Sequence, residues 1–299
     1  MNPNRQRAYG ALMRAAPVLS TLLLALAACT TVEGTGRSQL NMYSVDDEAQ
    51  LGQEAYAEEL KDAKIAPDTD PRVQRVQKIG KRIEQSAKQR CPNMANRMTW
   101  TWTVVDDPKT VNAWMVPGGR AAVYTGMIDF AKSDDELAVV MGHEASHAIA
   151  RHGTERASEG ALFNVATNVV GAVTGSGAAQ SGAQAIVEVG LNLPHSRQQE
   201  SEADEMGLLI AAQAGYDPRT AIDLWKRMQA NGGGQPEWLS THPSESTRIE
   251  RLQKLMPQAT AIYQRAQQNT PAAPKLLNAP PAAAPAPAPT SAAPRSQSR

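Results

Sequence analysis

The stretch Val140-Met141-Gly142-His143-Glu144-Ala145-Ser146-His147 constrains this chain more than any other, because it sets two imidazoles four residues apart with a carboxylate beside the first. On an α-helix that spacing puts both rings on one face. Neutral nitrogens so placed hold one zinc ion, and Glu144 lies where it can take the proton of an attacking water. The spacing therefore predicts a helix here that belongs to a zinc hydrolase site. Ser133 and Glu136 have the pattern of a capping box for its start, and Gly153 is expected to stop it just after His152.

The five histidines are His143, His147, His152, His195 and His242, so a third ligand must come from downstream of the pair. His152 follows His143 by nine residues, about half a turn out of phase on a continuous helix. It is expected to point away from the metal as a polar or capping residue. A histidine ten residues after the first would fit, but that position is Gly153. The run Ser196 to Gly207 offers a carboxylate instead. Its Glu200, Ala203, Asp204 and Gly207 follow the i, i+3, i+4, i+7 rule, a face whose small residues permit close approach of another helix. Glu202 lies about 200° from Glu200; with Glu205 it is read as solvated helix face. Glu200 is then the expected third ligand, and Asp204 the acceptor for the outer N–H of a ligating histidine. Two histidines and one glutamate form one set, so one Zn²⁺ per chain is expected.

With these positions in hand, the chain resembles family forty-eight of the metallopeptidases. The motifs are His143-Glu144-x-x-His147 with Arg151-His152, then Ser196-Arg197-x-x-Glu200-x-Glu202-Ala203-Asp204, then Thr241-His242-Pro243 with Arg248. Upstream, Asp107-Pro108, Asn112-Ala113, Pro117-Gly118-Gly119 and Tyr124-Thr125-Gly126 also fit, so the likeness spans about residues 45 to 256. The likeness is to the gluzincins related to the CAAX-prenyl endopeptidase, and within them to periplasmic lipoproteins and β-barrel-assembly-enhancing proteases. It implies zinc on His143, His147 and Glu200, with Glu144 as base. His242 or Arg248 would add a donor to the oxyanion, or His242 would serve as a fourth, gating ligand. The strand bearing Asn112 and Ala113 resembles a substrate-binding edge that pairs with an extended peptide.

At the N-terminus, Arg5, Arg7 and Arg14 precede the apolar run Val18 to Ala28 and then Cys29. This is the layout of a secretory signal, too short for a stable span. Leu26-Ala27-Ala28-Cys29 resembles a bacterial lipobox, which implies cleavage before Cys29, its lipidation and palmitoylation, and a membrane anchor. Thr30 in place of an aspartate favours the outer membrane, facing the periplasm of a bacterial envelope. Cys91 is then the one thiol left, and no intramolecular disulfide can form. Three of the 30 basic residues and none of the 30 acidic ones lie in the signal, so the remainder is slightly acidic and shows no basic run for nucleic acid.

The expected fold class is α+β, mostly helical, a zincin-like domain with a small β-sheet or hairpin beside the active-site helix. Helical periodicity marks Val45 to Lys64 and Pro71 to Gln89. Trp100 to Val105 reads as a strand, and Asn112 to Val116 with Arg120 to Tyr124 as a hairpin. The segment 161–190, apolar and glycine-rich but broken by Asn164, Asn168, Gln180 and Gln184, reads as a mobile helical connection or a packed helical hairpin. The division is a lipoprotein signal at 1–28, a linker at 29–44, a zinc metallopeptidase domain at 45–260 and a Pro/Ala-rich tail at 267–299.

The leading functional expectation is a membrane-anchored periplasmic zinc endopeptidase that cleaves unfolded or misassembled envelope proteins. Its partners would be those substrates, the membrane and the outer-membrane assembly machinery, with no nucleic acid. The others are a chaperone-like assembly factor with a mostly silent metal site, and a cell-wall metal amidase. No sugar-binding module is visible to support the last.

Overall fold

A computed structural model describes residues 29–171, 194–230, 236–242 and 247–269. The signal at 1–28, residues 172–190 of the connecting segment, Pro243 and the tail from residue 270 lie outside the described residues.

The architecture is α+β and mostly helical. β1 (Cys29–Thr31) pairs antiparallel with β2 (Ser38–Leu40), and Gly34 and Gly36, both at positive φ, turn the chain between them. The linker expected over 29–44 is thereby corrected. Val32 joins the core, Gln39 and Asn41 are buried, and Arg37 is ion-paired to Glu155 and Glu202 of distant helices. Contacts this remote in sequence leave no local periodicity. Cys29 is exposed at the head of β1.

Helix α1 (Val45–Leu60) is capped by Ser44, whose side chain accepts from the Asp47 N–H, and α2 (Pro71–Arg90) by Asp70 with Pro71 in its first turn. The buried face of α2, from Val73 through Val76, Ile79 and Ile83 to Ala87, lies against the sheet and the active-site helix. A short turn, α3 (Pro92–Ala95), leads into β3 (Thr101–Val105). With β4 (Ala113–Met115) and β5 (Arg120–Tyr124) it forms a sheet of order β3-β5-β4. β4 and β5 are the expected hairpin, closed by Gly118 and Gly119 at positive φ; β3 adds to β5 in parallel. Among the described strands β4 therefore has a neighbour on one side only.

After α4 (Thr125–Phe130) comes α5 (Asp134–Ile149), the helix of the histidine pair, with Ser133 accepting from the Glu136 N–H at its start. Every residue from Glu136 to Ile149 is buried. The helix ends earlier than expected. Arg151 sits in the left-handed region at φ 61°, held there by its side chain, which donates to Glu48 at 2.5 Å and to the Tyr43 carbonyl at 2.7 Å. These contacts offset a backbone cost of about 1–2 kcal/mol. His152 then opens a new helix, α6 (His152–Gly171), instead of finishing the old one.

Helix α7 (Arg197–Gln213) starts with a full Ser196/Gln199 capping box and lies along α5. The two approach at glycines: a Cβ on Gly207 would stand 2.7 Å from the His143 backbone nitrogen, and one on Gly142 2.8 Å from the Gly207 carbonyl. Next come α8 (Thr220–Ala230), α9 (Trp238–Thr241) and α10 (Arg248–Asn269). Because α10 is helical to Asn269, the first three residues assigned to the tail and the residues after 260 belong to this helix. No helix among the described residues is long and apolar enough to cross a membrane.

Candidate metal centre

On α5, the Nε2 atoms of His143 and His147 face each other 3.0 Å apart. From α7, Glu200 brings Oε2 to 3.6 Å of the first and Oε1 to 3.3 Å of the second. His242, at the end of α9, completes a buried group of four whose ligand atoms all lie within 4.8 Å of one another. The donor set fits a cation. Both Glu200 carboxylate oxygens and His242 Nε2 are buried without a hydrogen-bond partner, which is costly unless a charge among them satisfies all at once. Two imidazoles and a carboxylate are the ligands zinc takes, and the cluster could hold one ion.

Burial lowers the basicity of His143 to about 4, with Asp204 and its hydrogen bond opposing, and holds His147 and His242 well below the ordinary imidazole range. All three are thus kept neutral, as ligation requires. Burial also pushes the Glu200 carboxyl up to about 8, against the pull of Arg248. Asp204 Oδ1 lies 3.1 Å from His143 Nδ1. That contact places the imidazole proton on Nδ1 and leaves Nε2 free to ligate.

Glu144 is buried beside the cluster, and burial raises its pKa well above the carboxylate range. Its Oε1 accepts the Trp238 indole N–H at 2.6 Å and lies 3.6 Å from His242 Nε2. Trp238 also stacks on the His242 ring at 17° and 4.5 Å between centroids, so one indole orients two functional groups. Trp238→Phe keeps the stacking but removes the donor. We expect kcat to fall by about 10-fold or more, the worth of a hydrogen bond to a charged group, with zinc content unchanged. Steady-state kinetics beside metal analysis checks this.

Arg248 is held among buried partners. Its side chain is essentially unexposed; it stacks on Trp225 at 3.2 Å and spans Asp204 at 2.6 Å and Glu200 at 3.0 Å. Nη2 makes an aligned bond to Asp204, whereas Nε and Nη1 hold their carboxylates by charge. Two buried carboxylates thus pair with the guanidinium that was expected to add an oxyanion donor. A cleft of about 140 Å³ opens over the cluster, lined among others by Glu144, His147, His195, His242, Ala113 of β4 and Asn112 just before it. The Asn112 side chain accepts from the Ala113 N–H and reaches Glu237 at 3.4 Å.

Sequence reasoning missed several members of the site. Glu202, expected in solvent, is buried against His152 and Arg37. His152 is not one of the four clustered ligands, but its Nδ1 lies 2.8 Å from the Nδ1 of ligand His147. His195 packs its ring on His147 and His242 at 4.0 and 4.9 Å. The Arg151-His152 and Glu202 positions did stand inside the quoted motifs, and that was the available signal.

The sequence pattern of peptidase family M48 matches residues 71–256. The chain belongs to that family. It is 33% identical to the mitochondrial metalloendopeptidase OMA1 of Saccharomyces cerevisiae over 213 residues, 67% of this chain and 61% of the relative. It is also 33% identical to OMA1 of Schizosaccharomyces pombe over 232 residues, 75% and 66% of the two chains. With metalloprotease YcaL of Escherichia coli it shares 26% identity, covering 58% and 69%. The chain therefore spans under two thirds of the length of either OMA1 protein. These matches correct the expected location: the two OMA1 relatives are mitochondrial proteins of eukaryotes, which points away from a bacterial outer membrane.

Proposed function

We propose that this chain is a zinc-dependent metalloendopeptidase that cuts unfolded or misassembled protein segments. The observation that carries the reading is the cluster of His143, His147 and Glu200 with Glu144 fixed beside it at the floor of a cleft. Zinc held by His143, His147 and Glu200 would supply a Lewis acid for the scissile carbonyl and would lower the pKa of a water. Glu144, its basicity raised by burial, takes the proton of the attacking water and passes it to the leaving amine. The open edge of β4 supports β-addition of an extended peptide, a mode that reads backbone more than side chains. Such a site selects locally unfolded chains. The names of the relatives as metalloendopeptidases support the same activity.

Metal analysis and casein digestion with the purified protein test this. We expect about one zinc per chain, activity lost with a chelator and restored by zinc, and far more metal lost in Glu200→Ala than in Glu202→Ala. Undiminished peptidase activity in metal-free protein would sink the proposal. A purely scaffolding role would instead let Glu144→Gln replace the wild type fully, and an amidase would act on peptidoglycan and spare casein. His242 belongs to the ligand cluster, which favours a fourth-ligand role that competes with water. His242→Ala then raises basal proteolysis; a fall in kcat at constant zinc would make it the oxyanion donor.

A further inference from the structure

A line of buried polar groups runs from the cluster to the N-terminal hairpin. His147 Nδ1 lies 2.8 Å from His152 Nδ1, and His152 Nε2 lies 3.0 Å from Glu202 Oε2. The same carboxylate oxygen accepts Arg37 Nε at 2.6 Å, and its other oxygen accepts the Thr35 hydroxyl. The rest of the Arg37 guanidinium grips Glu155 at 2.5 and 2.8 Å, and Gln199 donates to Glu155 at 2.8 Å. His152 is 0% exposed and Glu202 6%, so water offers these groups no alternative partner.

The proton positions along this line follow from the ends. A carboxylate only accepts, so His152 carries its proton on Nε2. Its Nδ1 is then an acceptor and His147 must donate from Nδ1. The lone pair of His147 is thereby left on Nε2, the atom that faces His143 and Glu200. Were the carboxylate free to turn away, the two imidazoles could exchange tautomers, and a proton on His147 Nε2 would block ligation. What holds Glu202 is the turn between β1 and β2. Arg37 bridges two carboxylates on different helices with its planar fork, a geometry that a lysine cannot copy.

We propose that Arg37 is a positioning residue for the metal ligand His147, acting through Glu202 and His152, so that the N-terminal hairpin is part of the metal centre. The inference rests on the metal site proposed above. Zinc affinity of the full chain, stripped and titrated against a chromophoric chelator, tests it. Arg37→Ala is expected to weaken zinc by about 10–100-fold, the usual cost of losing an outer partner of a ligand. Arg37→Lys should recover part of that loss. In a His152→Ala background Arg37→Ala should cost nothing further, because the line is already cut. Three results overturn the inference: affinity in Arg37→Ala equal to wild type, losses that add in the double variant, or a lowered melting temperature of the stripped protein as the sole effect. Should Arg37→Ala fail to fold, Arg37→Lys alone decides, since undiminished affinity there is equally fatal. Wild-type protein that takes up no zinc removes the metal site itself along with this inference.

Discussion

Glu144→Gln is expected to lower kcat by about 10²–10⁴-fold while zinc stays at one per chain. The size follows from the role: removing a positioned base leaves a water with no acceptor for its proton, while the ligand set, binding cleft and metal are untouched. Metal should stay because the Glu144 carboxylate is not one of the four clustered ligands. Fold should stay because glutamine has nearly the same shape, and its amide oxygen can still accept the Trp238 indole N–H that Oε1 accepts at 2.6 Å. The measurement is peptide hydrolysis by the variant beside its zinc content and melting temperature. Activity within a few-fold of wild type, with full zinc, would place the base on another group. Loss of zinc would instead make Glu144 a ligand and undo the assignment of Glu200.

What the sequence made legible was local. His143 and His147 share one helix, and Glu200, Ala203, Asp204 and Gly207 share another, so 3.6-residue periodicity alone puts each group on one face. The hairpin of β4 and β5 announced itself through paired glycines. What failed was either a break in that periodicity or a contact between distant parts of the chain. His152 would be half a turn out of phase only on one unbroken helix, but Arg151 turns the backbone first, pulled by Glu48 some hundred residues earlier. Glu202 does sit on a different face from Glu200. That face meets Arg37 and Thr35 instead of water, and nothing near residue 202 in the sequence says so. Arg248 was placed near the site, but its pairing with Asp204 and Glu200 is set by the packing of α7 against α10 and leaves no signal in the sequence around it. The parallel addition of β3 to β5 belongs with these, because parallel pairing carries no turn signal.

The largest structural effect should come from a single methyl group at the crossing of α5 and α7. In a helix interior, replacing glycine by alanine ordinarily stabilises by about 1 kcal/mol, so propensity alone predicts a firmer protein from Gly207→Ala. Packing predicts the reverse. The new Cβ would stand 2.7 Å from the His143 nitrogen and 2.8 Å from the Gly142 carbonyl carbon, and these are backbone atoms that cannot rotate aside. Overpacking of this kind costs about 1–3 kcal/mol, so the net change should be destabilising or close to neutral. The clearer signal lies in function, because the helices can relieve the clash only by separating. Glu200 rides on α7 two turns before Gly207, and the histidines ride on α5, so separation pulls the third ligand from the first two. Zinc affinity is expected to fall by about 10-fold or more, as for other disturbances of ligand placement. Gly160, in α6, is the control: a Cβ there meets nothing within 4 Å, so Gly160→Ala should gain up to about 1 kcal/mol and leave zinc unchanged. Melting temperatures of the stripped proteins and chelator competition on both variants make the comparison. If Gly207→Ala melts higher than wild type and binds zinc equally well, the two helices have slack at their crossing, and the close approach of these glycines is not what sets the distance from Glu200 to His143 and His147.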